Sequence, residues 1–558
     1  MEDLEDWREA YREKLERYPE RKESFSGYAD IEYEPLYTPK NTDFDYDEDL
    51  GYPGSYPYTR GPYTTMYRSQ PWTRRNLIGL RTPKEVNERQ KDLIRQGQTG
   101  LNFTPDNTFF RGHDTLDVDR ELLGKTGTTV DSIRDWRIAF DDIPIDEVSI
   151  AINDTDPYTL VAMHFALAEE RGIPLRDLQG TTNHSDFLNQ YVGSKLFHRF
   201  PLEAHERIQQ DHIEYCLENV PRWNPVSLVG QNIQQKGATP PQEAAFCIAA
   251  CAYYVEKTME RGFDPNDFVT RFAFHFNATI NVFEEAAKFR AARRVWAKLL
   301  TDRFDIDVDK AKLRFHCQTD GVELTQDEAL NNIARVAVQA LGPILGGAQS
   351  IHTDAYDEAL RAPSEDAAQV ALRTQQILAE EGDVADVIDP LGGSYFVEEL
   401  TNKIEEKIWE YLNEVEKRGG MMAAVKDGYP QRVMEEAAKR HQEEFERGER
   451  VTVGVNKFTE MSGGTNIDIS RKMEVDDEAI DGQLERTRQL KEERDQERVD
   501  AKLEAIRRAT DDLSVNIFGL VIEAIKAGAT NGEIVGVLWD EYGDSEDLVP
   551  TYAKGDDD

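Results

Sequence analysis

Between about residue 60 and residue 397, short apolar runs alternate with longer amphipathic segments, and this alternation constrains the fold more than any other feature. Glu147-Val-Ser-Ile-Ala-Ile152 has the composition of a buried strand. Pro157 then opens a helix that passes Leu160, Met163 and Leu167 before Gly172 stops it. Pro225-Val-Ser-Leu-Val-Gly230 is another strand. It is followed by Thr239-Pro-Pro-Gln242, an N-cap with proline in the first turn and glutamine at the capping-box position, opening a helix that ends near Gly262. Strands are predicted over 269–276 and 312–318, and helices over 280–300 and 327–341. Repeated βα units require parallel strands, and a span of this length leaves a closed barrel or an open doubly wound sheet. No Gly-rich dinucleotide loop opens any of the helices, so the expected fold is an α/β (βα)8 TIM barrel, with its chemistry at the C-terminal strand ends.

Two flanking regions lack this alternation. Residues 1–59 are rich in Tyr, Pro, Asp and Glu, and Tyr33-Glu-Pro-Leu-Tyr-Thr-Pro39 has no helical pattern. Aromatics at this density argue against simple disorder, so an extended arm is expected. Residues 60–397 form the expected barrel domain. Residues 398–558 are expected to be a helical accessory region with an acidic tail, Asp556-Asp-Asp558. Its stripe of Ile404, Ile408, Tyr411, Leu412 and Val415 ends at Gly419-Gly420, and further helices are expected over 429–447, within the highly charged 475–511, and over 513–527.

The net charge of -41 opposes non-specific nucleic-acid binding, which depends on cations neutralising phosphates. Acids spread along the whole chain make a halophile-like surface, soluble at high salt where screening removes self-repulsion. The acidic start, Met1-Glu-Asp-Leu-Glu-Asp6, is unlike a signal peptide, and the longest apolar run, Ala244 to Val255, is too short to span a bilayer. A cytoplasmic protein is expected, with no membrane and no nucleic-acid partner. Four cysteines (216, 247, 251 and 317) make no disulfide framework. His113-Asp114 and Asp211-His212 lack a helix-spaced second histidine, so no metal site is expected.

Arg314-Phe-His-Cys-Gln-Thr-Asp-Gly321 places His316 and Gln318 on one side at the C-terminal end of a strand. The loop Gly346-Gly-Ala-Gln-Ser-Ile-His-Thr-Asp354 adds His352, and Arg60, Arg74, Arg75 and Arg271 are candidate clamps for a phosphate-bearing ligand. Pattern alone stops at a barrel of unspecified chemistry.

Leu36-Tyr-Thr-Pro39 followed by Asp47 through Tyr67 closely resembles the N-terminal signature of methylmalonyl-CoA mutases. So do Pro71-Trp-Thr73, Ala291-Ala-Arg-Arg-Val-Trp-Ala-Lys298, His316-Cys-Gln-Thr319, Asn331-Asn332, Gly346 through Thr353, Asp389-Pro-Leu-Gly-Gly-Ser-Tyr395 and Val451-Thr-Val-Gly-Val-Asn-Lys457. The resemblance implies an adenosylcobalamin-dependent isomerase that rearranges the carbon skeleton of an acyl-CoA by a radical 1,2-shift. It also implies CoA threaded along the barrel axis and cobalamin on the C-terminal face. By position, Tyr63, Thr65, Met66, Thr73 and Arg75 match the CoA-binding segment, and Arg271 matches an arginine near CoA phosphate. His316 and Gln318 match residues beside the substrate, and Gln349, Glu358 and Ala359 match residues by the cofactor. The family's cobalt-ligating Asp-x-His-x-x-Gly motif is missing: none of the ten histidines has Asp two positions before it. A separate small cobalamin-binding subunit in a hetero-oligomer is therefore expected.

The acyl pocket departs from the pattern. The tyrosine and arginine that hold the methylmalonyl carboxylate fall at Leu77 and near Ser194, with His184 or Arg74 as conceivable substitutes. The Tyr-His pair over the thioester is Gln231-Asn232, a CoA-binding arginine is Gln70, and a cofactor-side asparagine is Asp354. Three readings follow: a mutase for a divergent substrate of the isobutyryl-CoA or 2-hydroxyisobutyryl-CoA type, a methylmalonyl-CoA mutase with displaced carboxylate ligands, or a non-catalytic structural partner of an active mutase subunit.

Overall fold

The computed structural model describes residues 4–20, 22, 24–193, 200–459 and 477–543. Parallel strands run in chain order as β1 (Thr73–Arg74), β2 (Gly100–Phe103), β3 (Ser149–Asn153), β4 (Gly180–Asn183), β5 (Trp223–Asn224), β6 (Val226–Val229), β7 (Phe272–Ala278), β8 (Phe315–Thr319) and β9 (Ser350–His352). The ladders give two sheets, β2-β3-β4-β5 and β1-β9-β8-β7-β6. β5 and β6 are halves of one strand divided at Pro225, which has no N–H to continue the ladder. At the other seam Thr99 N–H donates to Arg74 O at 3.1 Å. Eight strand positions, each followed by at least one helix, make the TIM-barrel-type arrangement. The helices that follow are Pro83–Arg95, Ile133–Ala139, Thr159–Glu170, Leu202–Asn219, Pro240–Glu260, Val282–Phe304, Asn332–Leu345 and Glu365–Glu380.

Local chemistry sets these boundaries. Thr239 forms the expected capping box with Gln242, and Thr82 forms another with Glu85. β7 starts at Phe272, later than residue 269, because residues 269–271 turn as a 3₁₀ segment. β8 alternates: Phe315, Cys317 and Thr319 are buried on the helix side, with Phe315 stacked on Phe289, while His316 and Gln318 face the other way. The run expected to be extended begins with a helix, Leu4–Arg17, whose Trp7 and Tyr11 stack at 5.0 Å. Leu4, Trp7, Tyr11 and Leu15 carry helical spacing that the averaged composition of 1–59 conceals.

Residues 24–72 lie against the barrel through specific bonds. Glu284 accepts from the N–H groups of Tyr28 and Ala29, each at 2.8 Å. Arg293, fully buried, donates to Tyr58 O, Thr59 O and Gly346 O at 2.6–2.7 Å. Replacing Arg293 with methionine leaves three carbonyls without their charged donor. The expected cost is at least about 2 kcal/mol, with new proteolytic cleavage between residues 58 and 72; a variant as protease-resistant as the parent would refute it.

Beyond Tyr395 the elements among the described residues are helices, including Asn531–Tyr542, which sequence pattern did not single out, with a turn and an isolated β-bridge between Val453 and Lys457. Asp114 accepts from Lys491 Nζ (3.0 Å), Thr530 Oγ1 (2.6 Å) and Gly532 N–H (2.7 Å), docking these helices on the loop after β2.

Candidate active site

The N-terminal mouth of the barrel is covered by the segment leading into β1. Tyr63 and Thr65 are exposed there, and Met66 is buried under Gly347, whose backbone has φ +79°. Thr73 and Arg75 flank the outward-facing Arg74 and approach Gly100 closely: a Cβ there would stand 2.7 Å from Thr73 Cγ2 and 2.9 Å from Arg75 Nε. Glycine at 100 thus makes room for the Arg75 side chain.

Of the four arginines offered as clamps, Arg60 and Arg271 are occupied. Arg60 pairs with Asp389 at 2.9 Å, while Arg74 turns toward the exposed Glu380 at 3.6 Å and its Nε has no partner among the described residues. Arg271 donates to the carbonyls of Cys216, Val220 and Trp223 at 2.8–2.9 Å and of Leu217 at 3.4 Å, capping the Leu202–Asn219 helix. The expectation of Arg271 on a CoA phosphate meets a side chain already spent on backbone. Arg75 bonds only Ser149 Oγ, at 2.8 Å, and its Nε has no partner among the described residues. Burial pulls its pKa down to about 10.

Gln349 is also repositioned. It precedes β9, accepts from Phe315 N–H at 2.9 Å and donates to Gly347 O at 2.7 Å. That is the N-terminal end of the barrel, opposite the face expected for the cofactor. The residue pattern gave its strand but not which mouth it serves.

At the C-terminal ends, β8 and β9 bring three predicted residues together. Gln318 Nε2 donates to Asp354 Oδ1 at 3.0 Å, His352 Nε2 lies 2.9 Å from the same oxygen, and Thr319 Oγ1 lies 3.1 Å from Asp354 Oδ2. His352 Nδ1 accepts from Leu77 N–H at 3.1 Å, fixing the backbone of the residue at the expected tyrosine position. His316 Nδ1 is 2.9 Å from Ser350 Oγ. Burial, then His275, Arg75 and His352, hold His316 far below the ordinary histidine range, so it is a neutral imidazole. Glu358 is exposed, and crowding of its carboxyl, then Asp354 and Asp357, raise its pKa above the ordinary carboxylate range. Ala359 O accepts from Gln326 Nε2 at 3.0 Å.

Gln231 and Asn232 lie on the turn after β6, where Asn232 Nδ2 donates to Asn189 Oδ1 in the loop after β4. Ser194 falls outside the described residues.

Sequence reasoning missed His275. It is paired in register with His316 across β7 and β8, and the two rings meet at 4.6 Å and 76°. The signal was present in Phe272-Ala-Phe-His-Phe-Asn277, where a polar residue interrupts an aromatic strand at the inward period. Asn153 and Asn183, at the ends of β3 and β4, were likewise passed over.

Among the described residues no helix is long and apolar enough to cross a membrane, and no three His, Cys, Asp or Glu side chains are grouped to hold a metal ion. The family model described as methylmalonyl-CoA mutase matches residues 26–544. The chain is 40% identical over 534 residues to the 2-hydroxyisobutanoyl-CoA mutase large subunit of Aquincola tertiaricarbonis, covering 95% of this chain and 94% of that one. It is 36% identical to the methylmalonyl-CoA mutase of Rhizobium meliloti and 35% identical to the human mitochondrial enzyme, covering 94% and 92% of this chain and 74% and 68% of theirs. Matching over nearly its whole length and at this identity, the chain belongs to the methylmalonyl-CoA mutase family of adenosylcobalamin-dependent acyl-CoA mutases, which are isomerases.

Proposed function

We propose that this chain is the large, barrel-bearing subunit of an acyl-CoA mutase whose acyl substrate carries no carboxylate, and that it works in the cytoplasm with a separate small cobalamin-binding subunit. The observation that carries this reading is the character of the pocket beside His316. Leu77 stands at the tyrosine position, Arg74 is turned outward to Glu380, and the imidazoles of His316 and His275 are neutral. With Arg75 taken by CoA in this reading, a dicarboxylic acyl group would be desolvated there without a cation of its own, which is costly. The retained His316, Gln318 and Glu358 weigh against a purely structural role.

In this reading CoA enters at the mouth lined by Tyr63, Thr65, Met66, Thr73 and Gln349. Arg75, an interior cation unspent among the described residues, takes an electronegative group of CoA, and His316 and Gln318 hold the acyl thioester. Adenosylcobalamin, when bound, supplies the carbon radical that starts the rearrangement, and the protein contributes orientation and exclusion of water. Glu358 fits the cofactor's ribose, because its carboxyl oxygens can accept hydrogen bonds from ribose hydroxyls. The small subunit is supported by the match to a large subunit over 94% of that relative.

The test is to mix the chain with a candidate cobalamin-binding subunit and adenosylcobalamin in high salt. CoA-ester conversion is then followed by mass spectrometry with methylmalonyl-, ethylmalonyl-, isobutyryl- and 2-hydroxyisobutyryl-CoA. Turnover confined to the last two is expected; succinyl-CoA formed from methylmalonyl-CoA would overturn the assignment. Removing the carboxyl should weaken cofactor binding: Glu358→Ala is expected to lower cobalamin affinity about tenfold, the loss of one hydrogen bond to a ribose hydroxyl, while Glu358→Gln retains part of it. Spectrophotometric titration with adenosylcobalamin reads this directly.

A further inference from the structure

β4 and β7 are separated by β5 and β6, so a contact from Asn183 to His275 crosses the barrel interior. Asn183 Nδ2 donates to Asn153 Oδ1 at 2.8 Å and stands 3.3 Å from His275 Nδ1. Asn153 Nδ2 donates to Thr104 Oγ1 at 2.7 Å, and Thr104 Oγ1 lies 3.3 Å from Asn102 Oδ1. The chain of donors has a direction. One hydrogen of the Asn183 amide goes to Asn153 and the other makes His275 Nδ1 an acceptor. A neutral imidazole that accepts at Nδ1 carries its proton on Nε2. His275 is 2% exposed, and Nε2 has no hydrogen-bond partner among the described residues. A buried N–H without an acceptor is unfavourable unless a ligand supplies one. This donor sits on the ring packed against His316.

The surroundings are polar, and Arg75, whose charge reaches His316, is not among the groups acting on His275. Burial keeps His275 far below the ordinary histidine range and lowers His184, whose ring is 6.5 Å away, to about 4. Arg75 bonds Ser149, the first residue of β3, roughly 13 Å along the strand from Asn153, the last, at about 3.3 Å per residue. A carboxylate at His275 would meet amides and neutral imidazoles, whereas a hydroxyl oxygen would accept from Nε2–H at no electrostatic cost.

Resting on the mutase reading above, we infer that His275 determines specificity: the Asn183–Asn153–Thr104–Asn102 chain fixes its tautomer, and its Nε2–H donates to a hydroxyl on the acyl group. The enzyme therefore prefers a hydroxylated branched acyl-CoA over the unsubstituted or carboxylated analogue.

The test uses the full chain in high salt and calorimetric binding of 2-hydroxyisobutyryl-, isobutyryl- and methylmalonyl-CoA. One net hydrogen bond corresponds to about a tenfold preference for the hydroxylated ester in the parent. His275→Phe should bring that ratio near one while leaving isobutyryl-CoA affinity within about threefold. His275→Gln, which restores an N–H donor, should recover part of the ratio, a result that loss of a merely structural contact would not produce. Equal binding of all three esters by a parent that turns over acyl-CoA would overturn the role of His275 and leave the mutase reading intact. Binding of no ester at all would overturn both.

Discussion

Replacement of Lys288 by methionine is expected to destabilise the protein by about 3–5 kcal/mol, the largest single effect on stability that the structure supports. Lys288 is fully buried, 2.6 Å from Glu243 and 2.5 Å from Glu285, and it also donates to Gln234 Oε1 at 3.1 Å and Asn277 O at 2.8 Å. Glu243 accepts the Asn277 N–H at 2.7 Å, and Glu285 accepts from Thr279 N–H at 3.1 Å. The cluster ties the C-terminal end of β7 to the turn bearing Gln231 and Asn232. Methionine keeps the stem but leaves two buried carboxylates without their cation. The pH dependence follows from Glu243. Burial pushes it up to about 7, with Lys288 opposing and Glu285 adding to the rise. A carboxyl whose folded pKa lies above its unfolded value favours folding at low pH, and that contribution is lost as pH rises through the folded pKa. Without Lys288 the folded pKa rises further. The deficit of Lys288→Met should therefore be larger near pH 8 than near pH 5. Denaturant midpoints at the two pH values measure it, and a pH-independent deficit would show that the carboxylates are not its source.

The largest effect on activity is expected from His316. His316→Phe should lower kcat/KM by about 10²–10³, the loss typical of removing one preorganised donor from a reacting carbonyl. The imidazole is neutral and held by Ser350, so it donates without titrating. Its pKa lies well below the working range, so the parent's rate should show no inflection near pH 6.5. His316→Asn, which retains an N–H, should recover part of the loss. An inflection near 6.5 that vanishes in His316→Phe would mean that the imidazole is charged in the active enzyme.

Much of this architecture was legible in residue order because it depends on neighbours within one turn or two strand positions. The capping box at Thr239, the helix stops at glycine, and the alternation that puts His316 and Gln318 on one side of β8 all rest on such local periods. The same local reading overlooked the Leu4–Arg17 helix within a composition that averages to irregular, and it did not register that Pro225 divides a strand between two sheets. The functional positions were harder. Arg271 and Gln349 have the right chemical types, but their partners, backbone carbonyls and the ends of neighbouring strands, are chosen by register.

The sequence by itself determined the βα succession, the parallel sheet and the family motifs, because these are written in short-range patterns of apolar, polar and capping residues. Only the tertiary structure decided which arginines are spent, which mouth of the barrel each candidate serves, and that His275 stands beside His316 with a donor to offer. Those outcomes depend on side chains that meet across the barrel, such as Asn183 and His275, 92 residues apart. They follow from barrel closure and strand register, which no local period encodes.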